Sequence, residues 1–269
     1  MSVSASPCPT SVIVTRLRTA GCVFAEDEAE LLIAGAADPV ELAVMVDRRV
    51  AGLPLEHVLG WAEFRGLRIA VDPGVFVPRR RTEFLVEQAV AAARPGAVVV
   101  DLCCGSGALG AALVAEVDRV ELYAADIDPA AVRCARRNIA ADRVFEGDLF
   151  APLPATLRGR IDVLIANTPY VPTGEIPLLP SEARIHEPRV ALDGGSDGLD
   201  IQRRVTAAAP RWLAPGGRLL VETSERQAPH AVEVFRAAGL IPRVVESEEW
   251  YATVVTGTRP PDRMPDSLG

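Results

Sequence analysis

Strands and helices alternate along most of the chain, and this alternation constrains the fold more than any other sequence feature. Helical patterns occupy Ala108–Ala115 and the segment from Asp128 to Ile139, where an acid followed by Pro129 is a typical helix start. Apolar runs predict strands at Ala97–Leu102, Val120–Ala125, Ile161–Ala166, Arg218–Thr223 and Trp250–Thr256, and a further strand ends near Gly147-Asp148. Strands separated by helices are typical of a doubly wound α/β sheet with parallel strands.

The first sixty residues show helical patterns instead. Asp38-Pro39-Val40-Glu41 combines an acidic cap, proline at the first helical position and glutamate at the third, and apolar residues follow at helical spacing. Two shorter helical patterns precede it at Val12–Ala20 and Glu26–Ala36, and the alternating runs Trp61–Phe64 and Leu67–Val71 predict a hairpin. We predict a helical domain over residues 1–60, a hairpin linker over 61–78, an α/β domain over 79–258 and a disordered tail over 259–269.

The composition argues against several kinds of protein. A net charge of -8 disfavours a protein whose main task is to bind nucleic acid, and no apolar run approaches the ~20 residues of a membrane span. The N-terminus lacks the features of a signal peptide, and the 5 cysteines have no regular spacing. We therefore expect a cytoplasmic monomer without disulfides, membrane contact or stable nucleic-acid binding. The sequence contains no lysine, which excludes a lysine Schiff base and a Walker-type phosphate site, and no spacing of histidines and cysteines predicts a metal.

A glycine-rich turn follows the first strand of the α/β domain. It reads Asp101-Leu-Cys-Cys-Gly105-Ser-Gly107-Ala-Leu-Gly110 and leads directly into a helix. Glycines in such a turn let backbone N–H groups approach a ligand closely at the N-terminus of a helix. Asp126 ends the second strand about 20 residues after Gly107, where an acid holds the ribose hydroxyls of a nucleoside cofactor. The two features together predict such a cofactor.

The glycines alone do not separate a dinucleotide from S-adenosylmethionine. Gly105, Gly107 and Gly110 match the dinucleotide string G-x-G-x-x-G. Asp101, however, opens the turn with a negative charge that would repel a pyrophosphate and suits the cationic amino and sulfonium groups of S-adenosylmethionine. Asp148 lies at the end of the third strand, where it is able to accept a hydrogen bond from an adenine amino group, although a solvated strand-end acid explains it equally well.

The sequence Asn167-Thr168-Pro169-Tyr170 directly follows the strand Ile161–Ala166, at the end of a parallel strand where α/β sheets bind ligands. The Asn167 side-chain carbonyl and the Thr168 backbone carbonyl offer two acceptors for the N–H groups of a substrate NH₂. Pro169 stiffens the loop and Tyr170 offers a flat face to a planar amide or base. This pattern predicts methyl transfer to an amide or amino nitrogen, whereas the competing interpretation is a plain Asn-x-Pro turn.

With these motifs the chain resembles the HemK or PrmC family of release-factor glutamine N5-methyltransferases. The likeness runs from about His57 to Thr256. It rests on Leu55-Glu-His-Val-Leu-Gly60-Trp-Ala-Glu-Phe64-Arg-Gly66, on Val77-Pro78-Arg79 followed by Thr82-Glu83, and on Glu187-Pro188-Arg189-Val-Ala-Leu-Asp193-Gly194-Gly195 running on to Asp197-Gly198. Several separate motifs therefore occur in family order.

The resemblance implies a Rossmann-like class I methyltransferase fold with a mostly parallel seven-stranded sheet. It also implies methyl transfer from S-adenosylmethionine to the glutamine of a release factor's Gly-Gly-Gln loop, with a helical N-terminal domain that helps to recognise that protein. The implied catalytic residues are Asn167, Thr168, Pro169 and Tyr170. Together with the motif analysis above, the cofactor residues are Asp101, Cys103, Cys104, Gly105, Ser106, Gly107, Asp126, Asp148, Leu149 and Asn167.

Three positions depart from the family pattern and mark a diverged member. Thr168 stands where the family's Asn-Pro-Pro-Tyr has its first proline, which keeps the backbone carbonyl but loses a rigid ring. Cys103 replaces the first motif glycine, and its Cβ is expected to crowd the cofactor unless the backbone stays at negative φ. Arg80-Arg81 occupies a place that usually reads Pro-Glu.

These departures leave other functions open. The same loop chemistry suits N6-methylation of a flipped-out adenine, or a different protein acceptor. A paralogue that binds the cofactor without catalysis is another alternative, and Asp101 argues against an NAD-dependent oxidoreductase. Of the remaining polar residues, we predict that His186-Glu187 is a solvated pair in a loop and that Cys103 and Cys104 line the cofactor site without reacting.

Overall fold

The computed structural model describes residues 9–262, and its first part is a group of four helices. They are α1 (Thr10–Thr19), α2 (Ala25–Gly35), α3 (Pro39–Val50) and α4 (Leu55–Leu59). The α3 helix begins as its sequence predicts, because Asp38 Oδ1 accepts hydrogen bonds from the backbone N–H groups of Val40 at 2.8 Å and Glu41 at 2.9 Å. The helices bury a small apolar core of their own that includes Ile13, Leu17, Leu32 and Val46.

A short hairpin follows the helices. Its strands, β1 (Trp61–Phe64) and β2 (Leu67–Ala70), pair in antiparallel register on either side of Arg65-Gly66. Phe64 and Ile69 point from the hairpin into the core on one face of the main sheet, where they pack with α5 (Glu83–Ala92). The hairpin is therefore built into the α/β part of the molecule.

A seven-stranded sheet forms the rest of the frame, as predicted. Its strands are β3 (Val98–Leu102), β4 (Glu121–Asp126), β5 (Val144–Glu146), β6 (Ile161–Ala166), β7 (Leu213–Thr223), β8 (Ile241–Ser247) and β9 (Ala252–Thr258). They lie in the order β5-β4-β3-β6-β7-β9-β8, with β5 through β7 parallel and β9 antiparallel to both of its neighbours. This is the mostly parallel seven-stranded sheet that the resemblance implied.

Helices cover both faces of the sheet. They are α5, α6 (Ala108–Glu116), α7 (Pro129–Ala135), α9 (Asp200–Ala208) and α10 (Ala228–Ala237). The short helix α8 (Ser181–His186) lies in the loop after β6 and has no buried residue. Successive side chains of the central strands enter opposite cores: Val99 and Ile165 pack on one face, and Val100 and Leu164 on the other. A strand that is buried on both faces is apolar at nearly every position, which explains the nearly continuous apolar runs of the sequence.

Several elements differ from the predicted ones. The strand β8 was not predicted, because as an edge strand it alternates between exposed and half-buried positions and carries a weak apolar signal. The last strand begins at Ala252 and not at Trp250, since Tyr251 has φ +48°, which a strand does not accommodate. The α7 helix ends at Ala135, four residues early, and the following turn brings Asn138 to the backbone carbonyls of Ala70 and Ser106.

Within residues 9–262, no helix combines the length and the apolar character that a membrane crossing requires. The predicted tail over 259–269 falls largely on 263–269, which lie outside the described residues. Arg259, at its start, is held in place: its N–H donates to the Gly217 carbonyl at 2.9 Å, and its own carbonyl accepts from Gly216 at 3.0 Å.

Candidate active site

A cavity of about 540 Å³ opens at the carboxyl ends of β3, β4 and β6. The loops that leave these strands form its walls, as expected for a parallel sheet. The cavity is lined by most of the sequence-predicted site residues, namely Cys103, Cys104, Gly105, Ser106, Asp126, Asp148, Leu149, Asn167, Thr168, Pro169 and Tyr170. Asp101 and Gly107 do not line it.

Gly107 lies behind the cavity, at the start of α6. It caps the N-terminus of α6 with φ +79°, and a Cβ at this position would come within 3.2 Å of the Ala135 Cβ. Glycine is therefore required both for the left-handed backbone and for the close approach of α7.

Asp101 also lies behind the glycine turn. Its side chain is fully buried, and Oδ2 accepts a hydrogen bond from the Gly110 N–H at 3.1 Å, which ties the end of β3 to the first turn of α6. The other oxygen, Oδ1, accepts no hydrogen bond from the part of the chain that the structure describes. Burial raises the pKa of Asp101 to about 7, because the charged carboxylate is poorly solvated there.

Asp126 connects the glycine turn to the next strand. Its Oδ2 accepts from the Gly105 N–H and its Oδ1 from the Asp128 N–H, both at 2.9 Å. Burial raises the pKa of Asp126, and the two backbone hydrogen bonds lower it in part. A carboxylate fixed in this way keeps further lone pairs for the hydroxyl groups of a ligand in the cavity.

Cys103 has φ +56°, a left-handed backbone conformation that is unfavourable for a residue with a Cβ. A non-glycine residue at positive φ carries strain, since its Cβ crowds the adjacent carbonyl. Burial raises the pKa of the Cys103 and Cys104 thiols, so both are protonated and poorly nucleophilic near neutral pH. This supports the prediction that they line the cavity without reacting.

Asp148 is already paired. Its Oδ2 lies 2.5 Å from a guanidinium nitrogen of Arg204, and both side chains are about half exposed. Leu149 follows with φ +50°, which turns the chain sharply beside the cavity. A ligand that uses the Asp148 carboxylate would share it with Arg204.

The loop Asn167–Tyr170 carries two buried polar atoms without partners. Asn167 Oδ1 and Thr168 Oγ1 are both shielded from solvent and make no hydrogen bond within the described residues. The backbone behind them is firmly held, because Gln227 Nε2 donates to the Tyr170 carbonyl at 3.0 Å and to the Asp197 carbonyl at 2.9 Å. The loop thus holds the Asn167 Oδ1 acceptor on a backbone that is fixed by hydrogen bonds.

Tyr170 is fixed by two residues that the sequence did not identify as site residues. Its hydroxyl lies 3.2 Å from Glu222 Oε1 and also contacts Arg81, whose Nε is 3.2 Å from the same carboxylate oxygen. Burial, and then the Glu222 carboxylate, raise the pKa of Tyr170 to about 12. In the sequence, Arg81 stands out only as a departure from the family pattern. Glu222 lies near the end of an apolar strand, where no motif marks it as a site residue.

The prediction for Glu187 was wrong, since this residue is buried and not solvated. Its Oε1 accepts from the Val77 N–H at 3.1 Å and its Oε2 lies 2.5 Å from Arg79. These contacts fasten the loop that carries Glu187 to the segment before α5, and both Arg79 and Glu187 line the cavity.

Comparisons with known proteins agree with this geometry. The protein-family model of the methyltransferase small domain matches residues 66–196 of the sequence. A release factor glutamine methyltransferase of Geobacter sulfurreducens is 41% identical over 209 residues, which cover 75% of this chain and 72% of the relative. One of Bifidobacterium longum is 36% identical over 264 residues, covering 84% of this chain and 89% of the relative. The crystal structure of a methyltransferase from Pyrococcus furiosus superposes with a TM-score of 0.55 at 17% identity, over 72% of this chain and 90% of that one, and so shares the fold.

Proposed function

The chain belongs to the family of release factor glutamine methyltransferases, and on that premise we propose that it methylates a release factor. The reaction transfers the methyl group of S-adenosylmethionine to the side-chain amide nitrogen of a glutamine, the one in the factor's Gly-Gly-Gln loop. The enzyme class, the cofactor and the fold follow from family membership. The roles of individual residues are our proposal.

One observation carries the proposal for the reacting site: among residues 9–262, the buried Asn167 Oδ1 finds no hydrogen-bond partner. An acceptor left unpaired in a protein interior costs about 1–3 kcal/mol, and it persists where a ligand supplies the missing donor. A glutamine side chain supplies such a donor in its NH₂ group. Asn167 lines the same cavity as Asp126 and Gly105, so its partner would arrive beside the cofactor.

The difficulty of this reaction lies in the nucleophile. The lone pair of an amide nitrogen is delocalised into its carbonyl group, which makes the nitrogen weakly reactive. We assign the Asn167 side-chain carbonyl and the Thr168 backbone carbonyl as acceptors for the two N–H groups. Their dipoles would orient the nitrogen and stabilise the positive charge that develops on it during transfer. A dedicated general base is not needed, since the N–H proton becomes strongly acidic only as the methyl group arrives.

Tyr170 would provide the flat surface on which the glutamine amide rests. Its contacts with Arg81 and Glu222 hold the phenol hydroxyl, so the ring keeps one orientation. Such a rigid platform limits the motion of a flexible substrate side chain at the moment of reaction.

S-adenosylmethionine, when bound, supplies an electrophilic methyl group on a sulfonium centre. The cavity has the size of a typical site for a small molecule of this kind. Asp126 would hold the ribose hydroxyls, the backbone around Gly105 and Ser106 would lie along the amino-acid end, and Leu149 would contact the base. Asp148 would reach the adenine amino group if the carboxylate turns from Arg204.

The first test measures transfer of labelled methyl groups to purified release factor, beside a copy whose Gly-Gly-Gln glutamine is replaced. We expect label on the intact factor alone. Asn167→Ala should lower kcat by about 10²–10³-fold, the loss typical for one preorganised polar group at a reacting centre. The Kd for S-adenosylmethionine, measured by calorimetry, should change much less. An Asn167→Ala variant that turns over at the normal rate would remove Asn167 from the mechanism.

A further inference from the structure

A second cavity, of about 650 Å³, lies beside the first. Arg81 and Tyr170 belong to the walls of both cavities, so the two spaces meet at the Tyr170 ring. The far wall is formed by the end of β7 and by the turn between β8 and β9. The mechanism proposed above makes no use of this space.

The second cavity is strongly acidic. Its walls contain Glu222, Glu225, Glu246 and Glu248 against a single positive residue, Arg81. Glu225, Glu246 and Glu248 are exposed, and none of them forms an ion pair with any residue in 9–262. Three carboxylates without an ion pair around one cavity leave a negative potential there.

Glu222 adds a second and independent observation. Its side chain is only 3% exposed. Its Oε1 is shared by Arg81 and Tyr170, whereas Oε2 has no hydrogen-bond partner among the described residues. A buried carboxylate oxygen without a donor is costly, and the donor that best suits it carries a positive charge.

The chemistry of the site favours an organic cation. Across residues 9–262, no three acidic, histidine or cysteine side chains come close enough together to hold a metal ion, so the carboxylates are too dispersed for one. A guanidinium or ammonium group on a flexible side chain, in contrast, is able to reach several separated carboxylates. Phosphate-bearing ligands are repelled by the same charges.

We propose that the second cavity binds an arginine or lysine side chain of the protein substrate, a few residues away from the methylated glutamine. This inference rests on the proposed function, because it takes the glutamine to lie against Tyr170. An extended chain advances about 3.3–3.6 Å per residue, so a side chain close to the glutamine in sequence reaches the adjoining cavity. Tyr251, which is 91% exposed at the rim, offers an aromatic face to the same segment.

The decisive variant removes two of the exposed charges, Glu246→Gln with Glu248→Gln. Exposed substitutions of this kind leave the fold intact. We expect the KM for release factor to rise about tenfold, while kcat and the Kd for S-adenosylmethionine stay within about twofold of normal.

Raising the salt concentration should weaken release-factor binding in the unmodified protein and have less effect on the variant. The matched control, Asp118→Asn with Asp142→Asn, removes two exposed acids far from the cavity and should leave KM unchanged.

A binding measurement separates this inference from the proposed function. The probes are two synthetic pentapeptides, Gly-Gly-Gln-Gly-Arg and the same peptide with neutral citrulline in place of arginine. Calorimetry with the full chain should show tighter binding of the arginine peptide by about fivefold, and the Glu246→Gln, Glu248→Gln variant should lose this preference.

The outcomes are distinct. If release factor is not methylated but the arginine preference is present, the proposed function falls and the cationic site stands. If release factor is methylated and the charge variant matches the control variant in KM, the cationic site is wrong. Equal affinity for both peptides also overturns it.

Discussion

At the level of single residues, Cys103 shows how far this chain departs from its family. A Cβ at this position is expected to crowd the cofactor unless φ is negative, yet the residue has φ +56° and lines the cavity. The strain of a left-handed non-glycine residue is about 1–2 kcal/mol. The chain therefore carries a local cost at the cofactor site that a glycine would not.

Two substitutions of Cys103 isolate this strain. Cys103→Gly and Cys103→Ala both remove the thiol, but only glycine removes the Cβ. At a position with negative φ, a glycine variant is less stable than an alanine variant by about 0.5–1 kcal/mol. At Cys103, where φ is positive, we expect the glycine variant to be more stable than the alanine variant by about 1 kcal/mol. Urea unfolding of both variants measures the difference, and an alanine variant of greater stability would contradict the strain.

The residues around Tyr170 mark the limit of prediction from this sequence. The loop Asn167–Tyr170 was found because its residue types follow a strand and suit the chemistry. Arg81 and Glu222 were not, because each is distant from Tyr170 in sequence and meets it only through the fold. Contacts of this kind have no local pattern, so charge and spacing along the chain do not reveal them.

At the level of elements, the link between β3 and α6 depends on one buried acid. Asp101 Oδ2 accepts from the Gly110 N–H, and burial raises its pKa to about 7. The folded state therefore binds more protons than the unfolded state between about pH 4 and pH 7. The free energy of unfolding contributed by this group is present at low pH and is lost as the pH rises through the folded pKa.

Asp101→Asn keeps an acceptor for Gly110 but cannot titrate. Between pH 5 and pH 8 we expect the stability of the unmodified protein to fall relative to the variant, by about 2–3 kcal/mol. Urea unfolding at both pH values measures this difference, with the exposed-site variant Asp118→Asn as control. Parallel pH profiles for the Asp101→Asn variant and the unmodified protein would show that Asp101 does not titrate in this range.

The central elements were predictable and the peripheral ones were not, for a physical reason. Strands such as β3 and β6 are buried on both faces, so their apolar runs stand out in the sequence. The edge strand β8 has only exposed and half-buried positions and was missed, although the resemblance implied seven strands. Helix ends depend on tertiary contacts, as the early end of α7 near Asn138 illustrates.

At the level of the whole molecule, Arg49 joins the helical part to the active-site wall. Its buried guanidinium lies 2.6 Å from Glu28 in α2 and 2.6 Å from Glu182 in α8, and it also donates to the Leu53 carbonyl. Glu182 lines the active-site cavity. A displacement of α2 or α3 would therefore also displace Glu182 and the cavity wall to which it belongs.

Glu182→Gln tests this connection without unfolding either part. The substitution weakens one ion pair while Arg49 keeps Glu28, so we expect a local loss of about 1 kcal/mol. Amide hydrogen exchange across residues 181–186 should become about fivefold faster. Glu175→Gln, which breaks an exposed ion pair with Arg226, serves as the matched control and should leave that exchange unchanged. Unaltered exchange in the Glu182→Gln variant would show that α8 is held by other contacts.

The order of strands in the sheet has a consequence for how the molecule is made. The last strand in the chain, β9, lies between β7 and β8, so β8 emerges from the ribosome before the strand it pairs with exists. Until Ala252–Thr258 is synthesised, the eleven-residue strand β7 keeps an open edge, a template for joining to another nascent chain. An interruption of synthesis a few residues before β9 therefore removes two strands from the sheet and leaves the edge of β7 open to self-association.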